Sequence, residues 1–234
     1  MTKYATCSRV SFALWYIDMD KRKIFISPSN QNANIYAWGN TNEAEQCGKI
    51  GNAVKTALER CGFAVKLEQW ETMQKRVADS DSWGADMHLA IHTNASVNHT
   101  AGGTQVFFYA YNGYGNIACQ KVFDELKGYT PGSNAEVCRR YSALYEVNKP
   151  NATSVYCEVE FHDVAEYAKW IVEHTSLIAE CICKGICKYY NYDYIPPKET
   201  MYYVQCGAFK DRKNAEELAE RLKKDGYSVY IKEV

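Results

Sequence analysis

The spacing of apolar and polar positions changes several times between Lys23 and Tyr189, and each change marks an element. Lys23 to Ser27 is a short apolar run stopped by Pro28, the pattern of a buried strand. From Asn42 the period lengthens to that of a helix. Ile50, Val54, Ala57, Leu58 and Cys61 share one face, Asn42 and Glu45 form a capping box, and Gly62 ends the run. A strand over Ala64 to Leu67, a helix over Met73 to Asp79, strands over Asp86 to His92 and Thr104 to Tyr109, and a helix over Asn116 to Leu126 follow. Pro131 and Gly132 mark a turn, strands are expected near Ala143 to Val147 and over Ser154 to Glu160, and one long helix runs from about Val164 to Tyr189. Alternating strands and helices predict an α/β domain over residues 23–190, a single mixed sheet flanked by helices.

The two ends read differently. Residues 1–22 have no clear period and form an N-terminal extension. Its longest apolar stretch, Val10 to Ile17, is far short of the roughly 20 residues that span a bilayer, and it lacks the basic lead and small-residue cleavage site of a signal peptide. Release by lysis or non-classical export is therefore expected. Residues 191–200, with Pro196 and Pro197, read as a linker. Beyond it, Met201 to Cys206, Asn214 to Lys224 and Tyr227 to Ile231 predict a small strand-helix-strand C-terminal module over 201–234.

Composition narrows the function more than the fold. The 234 residues are 47% hydrophobic and 24% charged, with a net charge of -1. No cluster of Lys and Arg offers the counterion release that drives binding to a phosphate backbone, so no nucleic-acid partner is expected. The ten cysteines show no paired C-x-x-C spacing and read as buried free thiols. Cys181, Cys183 and Cys187 form the one local cluster, and a metal site there is disfavoured because i and i+2 face different sides of a helix.

Three constellations carry candidate chemistry, each at a strand end or a helix start, where α/β proteins place their sites. His92 ends the strand Leu89-Ala90-Ile91-His92, followed by Thr93-Asn94-Ala95. Glu43 lies in the first turn of the helix that begins near Asn42, where a carboxylate also suits the helix dipole. In Glu158-Val159-Glu160-Phe161-His162-Asp163, a period of two puts Glu158, Glu160 and His162 on one face of a strand whose other face is apolar.

The order of these features (a strand with a Pro turn, a Glu at a helix start, a strand ending in I-H-x-N-A, and a late V-x-x-E-x-x-F strand) resembles the amidase type 3 family of zinc-dependent N-acetylmuramoyl-L-alanine amidases. The resemblance implies that Glu43 and His92 bind Zn2+ and that Glu158 is catalytic, with Asn94 and Glu160 expected to contact substrate. Where the family has D-P-G-H-G, this chain has Ser27-Pro28-Ser29-Asn30-Gln31, so Asn30 stands at the position of the first metal-binding His. Asn is a poor zinc ligand beside imidazole. His162 is the expected replacement, which would restore two His and one Glu. Tyr203-Val204-Gln205-Cys206-Gly207-Ala208-Phe209 and the helix after it resemble the first half of the SPOR domain, which binds glycan strands.

The implied function is hydrolysis of the bond between N-acetylmuramic acid and L-alanine, with peptidoglycan as partner, no membrane span, and a homodimer formed through the half module. Two alternatives stay open: a non-catalytic peptidoglycan-binding protein with a degraded metal site, and a zinc peptidase acting within the stem peptide.

Overall fold

A computed structural model describes residues 21–109, 113–133, 143–198 and 204–233, and the backbone alone over 136–140. The expected N-terminal extension lies almost wholly outside the described residues. The chain divides into two compact units, meeting between Pro196 and Pro197.

The first unit is built on a six-stranded sheet of order β2-β1-β3-β6-β4-β5. Its strands are β1 (Lys23–Pro28), β2 (Ala64–Leu67), β3 (Met87–Asn94), β4 (Gln105–Phe108), β5 (Glu136–Arg140) and β6 (Thr153–Phe161). All neighbours are parallel except β4 and β6, which makes the sheet mixed. The helices are α1 (Glu43–Arg60), α2 (Met73–Trp83), α3 (Tyr114–Leu126), α4 (Tyr145–Asn148), α5 (Ala165–Glu173) and α6 (Thr175–Tyr190). Among the described residues no helix is long and apolar enough to cross a membrane.

The two faces of the sheet differ in chemistry, and the strand period explains why. Ile24 and Ile26 of β1, Leu89 and Ile91 of β3, and Val155, Cys157 and Val159 of β6 point to one face. There they meet Ile50, Val54 and Leu58 of α1, Val122 and Phe123 of α3, and Ile178, Ile182 and Ile186 of α6 in one continuous core. Gly185 lets α6 lie directly on α3: a Cβ there would stand 2.5 Å from the Val122 Cα. The opposite face has only a small apolar cluster of Ala90, Phe107, Val147 and Tyr156. Ser27, His88, His92, Glu158 and Glu160 share that parity, with Phe25 stacked on His88.

The start of α1 follows the expected cap, with the Asn42 side chain accepting from the Glu45 N–H at 2.9 Å. Three expectations need correction. Ala143 to Val147 is no strand: the segment forms the one-turn helix α4, and the edge strand is β5, upstream of it. Alternation over so few residues cannot separate the two states, and here one helical turn is what buries both Glu146 and Val147. The long helix is two, broken at His174, whose Nδ1 donates to the Trp170 carbonyl at 2.8 Å and whose ring stacks on the Trp170 indole. The first half of the linker belongs to the domain, because Tyr192 stacks on Phe63 at 4.4 Å and Arg60 donates to the Ile195 carbonyl at 2.7 Å.

In the second unit, α7 (Arg212–Lys224) is capped by Asp211, which accepts from the Lys213 N–H at 2.9 Å. Tyr227 to Ile231 and 204–206 carry no strand, whereas 201–203 lie outside the described residues. A strand exists only where a neighbour takes its backbone hydrogen bonds.

Candidate active site

Glu43, His92 and Glu158 come from three separate elements and meet at the C-terminal ends of β1, β3 and β6, on the polar face of the sheet. Glu43 is buried in the first turn of α1, held by its own N–H to the Asn34 carbonyl and by the Asn34 side-chain amide, which donates to Oε2 at 2.6 Å. Its Oε1 lies 2.9 Å from the His92 Nδ1. Burial works to raise the Glu43 pKa, but the hydrogen bonds from His92 and Asn34 hold it below the usual carboxylate value.

His92 is buried, with its ring stacked on Tyr156 at 4.6 Å. Burial disfavours its protonated form, yet the surrounding carboxylates of Glu146, Glu43 and Glu158 prevail and raise it to about 9. Glu146 stands 3.9 Å from Nε2, beyond hydrogen-bond reach, so it acts as a nearby charge, and Nε2 has no hydrogen-bond partner. Glu158 sits opposite His92 in the strand register. Burial pushes its carboxyl up to about 7, with His92 pulling down and Glu43 pushing up, and its Oε2 is buried without a hydrogen bond.

The other expected site residues are placed differently. The Asn30 side chain donates to the Glu71 carbonyl at 3.1 Å, so it is committed elsewhere. The neighbouring Gln31 reaches the pair instead: its amide lies 3.4 Å from the His92 Nδ1 and 3.2 Å from the Asn34 amide. His162 stacks on Tyr36 at 5.1 Å, and its Nδ1 lies 3.0 Å from both Thr93 oxygens, so it donates within the fold. Among the described residues no third His, Cys, Asp or Glu joins Glu43 and His92 with ligand atoms within 4.8 Å of one another. Glu160 is 0% exposed, and its carboxylate accepts from the backbone N–H groups of Gly103, Gly132 and Phe161, turned into the fold rather than to a substrate. Asn94 is half-buried, its amide donating to Gln105 at 3.0 Å.

The profile of the N-acetylmuramoyl-L-alanine amidase family matches residues 25–188. This chain belongs to that family. A SPOR domain profile matches residues 198–234. The sporulation-specific N-acetylmuramoyl-L-alanine amidase of Bacillus subtilis (strain 168) is 26% identical over 223 residues, covering 89% of this chain and 84% of the relative. The amidase CwlM of Bacillus licheniformis is 26% identical over 220 residues, with the same coverage. Among solved structures, the amidase AmiC2 of Nostoc punctiforme superposes with a TM-score of 0.66 at 20% identity, covering 73% of this chain and 97% of its own. The CwlD amidase of Clostridioides difficile, solved with the GerS lipoprotein, gives 0.62 at 18% identity, covering 73% and 99%.

Beneath the amidase site lies a buried ionic network that the pattern of the sequence does not single out. Arg76 of α2 is 1% exposed. Its guanidinium donates to the Pro28 carbonyl at 2.6 Å and reaches Glu146 at 3.3 Å. Glu146 also takes the His88 Nε2 at 3.1 Å and the Ser27 hydroxyl. Burial alone would raise the Glu146 pKa, but His88, His92 and Arg76 drive it far below the usual range. Arg76 stands at an inward position of an amphipathic helix, which is a weak signal by itself. Only the fold shows that its partner is Glu146, 70 residues on.

Removing one partner of a buried pair strands the other charge. Arg76→Met is expected to lose about 3–5 kcal/mol of stability in urea unfolding, and the double variant Arg76→Met/Glu146→Leu to lose less than the single one. A single variant within about 1 kcal/mol of the parent chain, the range of exposed pairs, would refute the assignment.

Proposed function

We propose that this amidase hydrolyses the amide bond between N-acetylmuramic acid and L-alanine in peptidoglycan with the help of a zinc ion at Glu43 and His92. The observation that carries the reading is the buried Glu43–His92 contact at 2.9 Å with the Glu158 carboxylate across the register from it. The unpartnered Glu158 Oε2 is a buried polar atom of the kind a native fold keeps for chemistry, and both Glu43 and Gln31 approach His92 on its Nδ1 side. A catalytic zinc needs three protein ligands. In this chain the first loop offers the Gln31 amide, 3.4 Å from the His92 Nδ1, as the third donor; the assignment of its oxygen and nitrogen is set only by the hydrogen-bond network. A neutral amide is a weaker donor than imidazole, so looser zinc binding follows.

When bound, zinc lowers the pKa of water from about 15.7 to about 7 and polarises a carbonyl. The protein supplies the rest. Glu158, raised to about 7 by burial, takes the proton of the attacking water and delivers it to the departing alanine nitrogen, the task of a general base that turns general acid. Asn34 holds Glu43 in place through its amide, and Tyr156 holds the His92 ring by stacking. The surrounding carboxylates favour a proton on His92, which a metal held there would have to replace, so zinc content is expected to fall as pH is lowered.

With zinc added, the protein is expected to clear cell-wall suspensions and release new N-terminal alanine without new reducing ends. Glu158→Gln should abolish this with the circular dichroism spectrum unchanged; an active variant would overturn the catalytic assignment. Zinc content tests the ligands separately. His92→Ala and Gln31→Ala should lose the metal, whereas Asn30→Ala and His162→Ala should keep it. Loss in His162→Ala with retention in Gln31→Ala would restore His162 as the third ligand. A parent chain that binds no zinc would favour the non-catalytic peptidoglycan-binding reading.

The C-terminal unit is read as a glycan-binding half module that pairs with the same unit of a second chain, which makes the protein a homodimer at the cell wall. From Pro197 it falls below the roughly 40 residues at which chains usually fold unaided. Val204, Phe209, Tyr227 and Ile231 are exposed, and Ala219 is its one buried apolar residue among those described. Light scattering should give a dimer for the whole chain and a monomer for a chain ending at Pro196. A monomer in both cases would refute the pairing.

A further inference from the structure

On the far side of the sheet from the amidase site, three cysteine sulfurs converge. Cys61 caps the C-terminal end of α1, and Cys183 and Cys187 lie one turn apart on α6. Cys61 Sγ is 3.7 Å from Cys183 Sγ, which is 4.0 Å from Cys187 Sγ, and all three lie within 4.8 Å of one another. The three residues are buried. Spacing along the chain hides the cluster, because Cys181 and Cys183 diverge around the helix whereas residues four apart share a face, and because Cys61 is 122 residues away.

We infer that Cys61, Cys183 and Cys187 form a second metal site, independent of Glu43 and His92, that takes a thiophilic cation such as zinc. Thiolates bind zinc at about 2.3 Å, which places neighbouring sulfurs of a tetrahedral set about 3.8 Å apart; the observed 3.7 and 4.0 Å need almost no movement. Donors and a positive charge stand next to the sulfurs. The Ile195 N–H donates to the Cys61 sulfur at 3.3 Å. Arg60, beside Cys61, brings a guanidinium whose charge favours the Cys187 thiolate. For Cys187, the Cys183 hydrogen bond together with Cys61 and Arg60 outweighs burial and lowers the thiol pKa, while Cys183 is raised by its bond to Cys187 and by burial. Metal binding releases the protons of the thiols it takes up. Among the described residues no other His, Cys, Asp or Glu joins the three sulfurs within 4.8 Å, so the protein supplies three of the four positions of a tetrahedral site. The bound cation would tie the end of α1 to α6 and to the segment that leads out of the domain at Ile195.

Cadmium is the probe, because thiolate ligation gives an ultraviolet charge-transfer band that carboxylate and imidazole ligands do not. The full chain carrying Cys206→Ser, which removes an exposed thiol, is titrated with cadmium under reducing conditions. A band that saturates at one equivalent is expected. Cys61→Ser, Cys183→Ser and Cys187→Ser should each weaken binding by more than about tenfold, the loss seen even for outer partners of metal ligands. Cys181→Ser and Cys119→Ser should leave the band intact, and so should His92→Ala, which separates this site from the amidase site. No charge-transfer band in the starting chain, or a band that survives both Cys183→Ser and Cys187→Ser, would overturn the inference and leave three packed thiols. The starting-chain titration decides the matter even if a variant fails to fold.

Discussion

A guanidinium held out of water needs its charge answered from within the protein, and in this amidase the Pro28 carbonyl and the Glu146 carboxylate that answer Arg76 also hold the floor of the candidate active site. Its bond to the Pro28 carbonyl fixes the end of β1 where the first loop departs, and its pairing with Glu146 docks α4 under the sheet. Glu146 in turn binds Ser27 of β1 and His88 of β3. Two adjacent strands are therefore locked in register just below the point where Gln31 and His92 emerge. The opposite face of the sheet carries the continuous hydrophobic core.

Carboxylates in such a place set each other's behaviour. Glu43, Glu146 and Glu158 surround one imidazole, and their fates diverge with their partners. Glu43 and Glu146, which are hydrogen-bonded, stay ionised; Glu158, which is buried with an oxygen unpartnered, is raised to about 7. Groups of one type pushed apart by environment are the usual mark of divided acid-base roles. Glu160 illustrates the contrast. Two residues from Glu158 on the same face, it spends its carboxylate on three backbone N–H groups and holds the loops at Gly103 and Gly132 together.

Much of the first unit is legible in the order of residues. The hydrophobic periods place β1, α1, β2, β3 and β6 to within one or two residues, since each buries a regular face and regular faces leave a regular pattern. The Glu43–His92 contact and the place of Glu158 follow from motif order. Short or context-dependent features do not show. Leu144 and its neighbours are equally compatible with strand and helix, and the break at His174 depends on a ring stacking against Trp170. The strand expected for Tyr227 to Ile231 has the right alternation, but a strand is a relation between two segments, and alternation says nothing about the second one.

Local chemistry, which acts between residues a few positions apart, decided the elements of this protein, their caps and the parity that puts Glu158 and His92 on one face. What lies between residues distant in the chain was left to the tertiary structure. The first loop turns Asn30 away and Gln31 inward; His162 spends its ring on Thr93 and Tyr36; Arg76 finds Glu146; and Cys61 meets Cys183 and Cys187. In each case the outcome depends on which buried partner stands within about 3–4 Å, the range over which hydrogen bonds and ion pairs act, and no spacing along a chain encodes that distance.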